Sequence, residues 1–108
     1  MPAPQLPAPI DRLITAANNG DTEGFLNAFT ADGSVNDWGR VFKGREAIKG
    51  WSDNEFIGVQ ARLAVTAVRA DGDETVVTAT VGGNGFNGPS DFAFRVVGDA
   101  VREMRISG

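Results

Sequence analysis

Histidine, cysteine and tyrosine are all absent from this chain of 108 residues, and each absence closes a route to chemistry. Without imidazole there is no Ser–His–Asp arrangement and no histidine base, and without imidazole or thiolate most zinc sites are excluded. Lack of cysteine also removes disulfides and thiol nucleophiles. Lack of tyrosine removes the phenol as an acid or an oxyanion donor. The groups left to ionise are carboxylates, guanidinium groups and two lysines, Lys43 and Lys49. No cofactor and no metal are expected. Positive charge is in deficit too: the net charge is −4, which argues against nucleic acid and anionic lipid, since both require a basic surface. No apolar run approaches a membrane span. The proline-rich start, residues 1–9, holds no apolar core of a signal peptide and reads as a loose N-terminal arm on a cytoplasmic protein.

Hydrophobic residues make up 42% of the chain, enough for one core, so residues 10–108 are expected to form a single domain. The first half has helical periodicity. Ile10, Leu13, Ile14 and Ala17 share one face, with Pro9 at the entry and Asn18-Asn19-Gly20 at the exit. Asp21 is placed to cap a second helix carrying Phe25, Leu26 and Phe29, ended by Ala31-Asp32-Gly33. A short extended pair follows, Val35 to Asp37 and Val41 to Lys43, turning at Trp38-Gly39. Gly44 opens a third helix on which Ala47, Ile48 and Trp51 share a face.

The second half alternates with period two. Val59, Ala61, Leu63, Val65 and Ala67 form one apolar row, and Thr75, Val77, Ala79 and Val81 the next. Asn87-Gly88 predicts a two-residue hairpin turn, which sets Val81 opposite Phe94 and Gly83 opposite Phe92. Keeping apolar faces aligned elsewhere calls for three-residue loops at Asp71-Gly72-Asp73 and Gly98-Asp99-Ala100, with Met104 opposite Phe94 and Arg95 opposite Glu103. The order is that of an α+β domain, its N-terminal helices packed on one face of a curved antiparallel sheet. Gly82-Gly83-Asn84-Gly85 lacks the Lys-Ser/Thr of a phosphate loop and precedes a hairpin turn instead of a helix, so it predicts a bend or bulge.

Three segments carry a resemblance: Asn18-Asn19-Gly20-Asp21, then Phe29-Thr30-Ala31-Asp32-Gly33-Ser34-Val35-Asn36-Asp37, then Gly44-Arg45-Glu46-Ala47-Ile48-Lys49-Gly50-Trp51. In order and spacing they resemble the nuclear transport factor 2-like superfamily, within it the SnoaL-like and ketosteroid isomerase-like branch. The resemblance implies a conical α+β barrel, a pocket between helices and the concave sheet, and a homodimer through the sheet. It does not fix a reaction, because this fold hosts isomerases, cyclases, dehydratases, hydrolases and non-enzymes.

Asp37 falls where ketosteroid isomerases carry their general-base aspartate, and period two along the strand sends it the same way as Val35. It also begins the turn Asp37-Trp38-Gly39-Arg40, where an aspartate accepts a backbone hydrogen bond. The rest of the isomerase pattern departs. Leu13 stands in the place of the oxyanion tyrosine, and the second acid lands on Asp91 or Ser90 according to how the last strands are aligned. Ser90 is expected on the inner face and Asp91 on the outer. The ligand lining expected from this arrangement is Leu13, Trp38, Trp51 and Phe56, with Leu63, Val81, Ser90, Phe92, Phe94 and Met104 from the sheet. Asn54 and Glu55 are alternatives for the rim, and Phe86 for a lid or an interface. Arg40, Lys43, Arg45 and Lys49 read as a solvated face. Three functional classes stay open: an enzyme on a small apolar carbonyl or polyketide-like compound with Asp37 as acid or base, a non-catalytic binder of such a ligand, and a protein-interaction module.

Overall fold

The computed structural model describes residues 6–107. Helix α1 (Ala8–Asn18) opens on prolines, which tolerate the first helical turn because their missing N–H has no partner there. Its apolar stripe of Ile10, Leu13, Ile14 and Ala17 is buried as the spacing predicts. The helix therefore starts within the expected N-terminal arm, whose residues 1–5 lie outside the described residues. The far end of α1 is tied to the sheet: Asn18 donates to the Leu63 carbonyl at 3.0 Å and accepts from the Leu63 amide at 2.7 Å.

Helix α2 (Thr22–Asn27) is capped by Asp21, whose Oδ1 accepts from the Gly24 amide at 3.0 Å. It is shorter than its apolar spacing suggests. Phe29 does not continue the helix but begins strand β1 (Phe29–Asp37). Long-range pairing decides this: the Ala28 carbonyl accepts from the Val101 amide at 2.8 Å, and Arg45 donates to the Phe29 carbonyl at 2.8 Å. Strand β2 (Arg40–Lys43) returns against β1 through Trp38-Gly39, and helix α3 (Arg45–Glu55) follows. On α3 the buried residues are Ile48, Trp51 and Ser52, whereas Ala47 faces solvent.

A single-turn 3-10 helix, Ile57–Val59, replaces the expected start of the next strand, and Gln60 leaves it with a left-handed φ of 59°. Strands β3 (Arg62–Asp71), β4 (Glu74–Gly82), β5 (Gly88–Val97) and β6 (Ala100–Ser107) form the meander. The sheet order is β2-β1-β6-β5-β4-β3. Neighbours are antiparallel except β1 and β6, which run parallel and join the early hairpin to the meander. Helices lie on one face, over a core whose largest fully enclosed side chains are Phe25, Phe29, Phe92 and Phe94. Each such side chain contributes about 1.5–3 kcal/mol on burial.

Two register expectations are corrected. The loops after β3 and β5 hold two residues, since Asp71 pairs with Glu74 and Val97 with Ala100. The ladders then slip by one residue at Thr66 and at Arg102, and the second bulge restores the expected pairs Phe94–Met104 and Arg95–Glu103. Ala67, beyond the first bulge, turns outward. The Asn87-Gly88 turn is also absent: Val81 faces Gly88, and Phe92 faces Val77. Asn87 instead uses its side chain, donating to the Gly83 and Gly85 carbonyls at 2.9 and 3.1 Å, to hold a longer loop. Val81 thus sits six positions along β5 from the expected partner Phe94. Six is even, so the faces are unchanged: Ser90 points inward and is buried, while Asp91 lies on the outer face and accepts from Thr78 Oγ1 at 2.7 Å. No helix among the described residues is long and apolar enough to cross a membrane.

Candidate functional site

Where β1 ends, the sheet leaves a hollow of about 390 Å³ beneath the last turn of α3. Asp37 and Trp38 line it from the β1–β2 turn, and Trp51, Asn54, Glu55 and Phe56 from α3 and its end. Val59 and Ala61 close one flank. The floor is Ser90, Phe92 and Ile106, and the far wall is Val81 with the glycine-rich loop and Phe86. The volume is that of a small-molecule site, and its lining is mostly apolar with a few polar groups, as such sites are.

Asp37 is the acidic group best placed toward this space, with its side chain only 16% exposed. Oδ2 is doubly held: Arg40 donates to it at 2.6 Å and the Trp51 indole N–H at 3.1 Å. Oδ1 makes no hydrogen bond among the described residues, yet no buried side-chain oxygen there lacks a partner, so Oδ1 is accessible. Period two places it as the sequence suggests: Val35 is fully buried, and Asp37, two residues on, looks the same way at the edge of the core. The turn reading is answered separately. Asn36, not Asp37, accepts the turn amide, its Oδ1 receiving the Gly39 N–H at 2.8 Å.

Arg40 is the hinge of a three-member network. It reaches Glu55 with both ends of its guanidinium, at 2.7 and 3.0 Å, while holding Asp37. The Glu55 hydrogen bonds, and then that of Asp37, push the Arg40 guanidinium above its ordinary range. In return Arg40 holds the Glu55 carboxyl below the usual glutamate value. The network fastens the C-terminal end of α3 to the β1–β2 turn, which sets the width of the hollow. Arg40 is therefore engaged with this site rather than with Lys43, Arg45 and Lys49 as a common solvated face. Trp51 is fixed further by stacking on Phe56, with ring centroids 5.0 Å apart.

Of the ligand-lining residues expected from sequence, Trp38, Trp51, Phe56, Val81, Ser90 and Phe92 surround the hollow. Leu13, Leu63, Phe94 and Met104 do not; they are buried in the core. Phe94 and Met104 lie one inner-face position deeper than Phe92 and Ile106, because the hollow opens at the end of the sheet and not over its centre. Leu13 is wholly enclosed and has no access to it. Ser90 is present, but its hydroxyl is committed to the Ser107 carbonyl at 3.1 Å. Val59, Ala61, Gly82, Gly85 and Ile106 also line the hollow, although the sequence reading did not name them for its ligand lining. Ile106 was legible, since it continues the inward alternation of Met104. Val59 reaches the hollow from the 3-10 turn, not from the strand row in which its spacing places it.

Residues 10–106 match the SnoaL-like domain family. Comparison with curated proteins finds no match. Among solved structures, a candidate polyketide cyclase of Sinorhizobium meliloti superposes with a TM-score of 0.82 at 22% identity, covering 94% of this chain and 95% of that one. A protein of Catenulispora acidiphila with a ketosteroid isomerase-like fold, in complex with trimethylamine, gives 0.80 at 22% identity, covering 96% and 87%. A computationally designed 17-OHP binder gives 0.78 at 20% identity, covering 97% and 92%. These three likenesses establish the fold, and the family match over nearly all the described residues establishes more: the chain belongs to the SnoaL-like domain family.

Proposed function

We propose that this protein takes a small, largely apolar carbonyl compound into the hollow and uses Asp37 to move a proton at the carbon beside the carbonyl. The observation that carries this reading is the state of the Asp37 carboxylate. One oxygen is held by Arg40 and Trp51, and the other is accessible at the edge of a mostly apolar cavity. A base so held needs no reorientation to accept a proton, and positioned general bases contribute roughly 10²–10⁴-fold in rate. Isomerisation, cyclisation and dehydration of a polyketide-like carbonyl all begin with such a transfer. The indole N–H of Trp38 and the amide of Asn54 make no hydrogen bonds among the described residues, so both are open to a ligand oxygen. The likeness to a candidate polyketide cyclase and to a designed 17-OHP binder agrees with a small-molecule ligand.

The test does not require the natural substrate. In deuterated buffer with 2-acetylnaphthalene, a simple aryl methyl ketone, a working base speeds deuterium uptake at the methyl group, read by mass spectrometry. The expected result is acceleration by the wild type and its loss in Asp37→Asn. Equal rates with the two proteins would remove Asp37 as the base.

A second reading has its own support. Ser90 is committed elsewhere and Leu13 is sealed in the core, so neither supplies an oxyanion donor. On that reading the protein binds the same class of ligand without turning it over, and Asp37 orients it. Ligand-induced thermal stabilisation with no exchange distinguishes this outcome. A homodimer through the outer face of the sheet belongs to either reading, and light scattering at micromolar concentration tests it.

A further inference from the structure

Trp38 occupies a backbone conformation that its side chain does not favour. Its φ is 54° and that of Gly39 is 92°, both positive, as in the tight hairpin turn that Asn-Gly fills without strain. A bulky residue in the left-handed region is an outlier, and the cost persists only where something outweighs it. The hairpin pairing of Asp37 with Arg40 and the Asn36–Gly39 bond impose the turn, but nothing among the described residues offsets the cost of having tryptophan in it. The Trp38 ring is 67% exposed, stacks on no other aromatic ring and donates no hydrogen bond among the described residues. Its backbone N–H reaches the Ile106 carbonyl at 3.3 Å, a bond an asparagine there would keep.

Phe86 presents the same puzzle from the other wall. It is 60% exposed on the loop between β4 and β5. The base of that loop is secured, since the Asn84 amide donates to the Val59 carbonyl at 2.9 Å and Asn87 bonds back to Gly83 and Gly85. Four large hydrophobic side chains are exposed among the described residues, and the two aromatic ones both line the hollow. Strands β6 and β5 separate the Trp38 turn from the Phe86 loop. At the ordinary spacing between strands this is a span of roughly 10–15 Å, the length of a small fused-ring compound.

We infer that Trp38 and Phe86 are the specificity-determining contacts of the hollow, selecting flat, ring-bearing ligands at its mouth, and that the turn strain at Trp38 is retained for this contact. The inference rests on the cavity reading of the proposed function but not on Asp37 being a base. Aromatic faces stack on flat rings and gain little from a globular cage, so the pair discriminates by shape.

The experiment compares two methyl ketones of similar size, flat 2-acetylnaphthalene and cage-shaped 1-acetyladamantane, by isothermal titration. The wild type is expected to favour the flat ketone. Trp38→Asn, which installs the favoured turn pair, is expected to weaken the flat ketone about fivefold to tenfold and change the other less than twofold. The same variant is expected to melt about 3–6 °C higher, because the strain is relieved. Trp38→Phe keeps ring and strain together, so it retains the preference and the wild-type melting temperature. Phe86→Ala also weakens the flat ketone. Unchanged flat-ketone affinity in Trp38→Asn, or a melting temperature no higher than wild type, overturns the inference and leaves the cavity reading standing. A wild type that binds neither ketone overturns both.

Discussion

The indole nitrogen of Trp51 lies 3.1 Å from Oδ2 of Asp37, joining the middle of α3 to the last residue of β1 by one hydrogen bond. Trp51 is nearly fully buried, so the bond to a carboxylate is worth more than one in water. Trp51→Phe keeps an aromatic ring against Phe56 but removes the donor and leaves a small cavity where the rest of the indole was. It is expected to cost about 2–4 kcal/mol, seen as a lower urea midpoint with an unchanged slope.

Asn18 covers the open edge of the sheet. Its amide pairs with both backbone groups of Leu63 on β3, the outermost strand on that side. Asn18→Ala leaves an N–H and a carbonyl without their partners. A loss of about 2–3 kcal/mol is expected, with faster hydrogen exchange at the Leu63 amide than elsewhere in β3.

Leu13→Tyr restores the residue type that the isomerase resemblance places there, yet it should restore no activity. Leu13 is fully enclosed and does not reach the hollow. The larger ring overfills the core and its hydroxyl has no partner there, so about 2–4 kcal/mol of stability is expected to be lost. Ketone exchange should not rise above wild type.

Glu55 gives a pH signature. Arg40 holds its carboxyl below the ordinary value of 4.5, so the folded state binds that proton less readily than the unfolded chain. The linked stability is present above the ordinary value and is lost as pH falls through the folded one. Both partners are substantially exposed, so the effect is small. Glu55→Gln is expected to melt about 1–3 °C lower at pH 7, and its melting curve should converge with wild type on acidification. Asp32, lowered by its Thr30 hydrogen bond and then by Arg102, acts in the same direction and is common to both proteins.

How far the sequence could be read follows from which constraints are local. The α1 face, the Asp21 cap and the pairing of Phe94 with Met104 rest on periodicity and capping chemistry, and the fold bears them out. Apolar spacing continued from Phe25 predicts helix at Phe29, but the strand ladder to Val101 outweighs local spacing. Asn87 illustrates a different limit: the dipeptide that favours a tight turn serves instead as a side-chain clamp on a longer loop. The bulges at Thr66 and Arg102 absorb single residues without any turn signal, so the loops could not be sized from composition. Side-chain parity holds at Ser90 and Asp37, which face as period two predicts, but fails at Ala67, which lies beyond the Thr66 bulge. The site lost Leu13, Leu63, Phe94 and Met104 because period two gives a face and not a depth.

The most direct measurement is a crystal structure of the protein with 2-acetylnaphthalene bound. The account predicts the ketone in the hollow, with its methyl carbon about 3–3.5 Å from Oδ1 of Asp37 while Arg40 and Trp51 still hold Oδ2. A ketone bound elsewhere, or an Asp37 side chain turned into solvent away from it, would contradict the account.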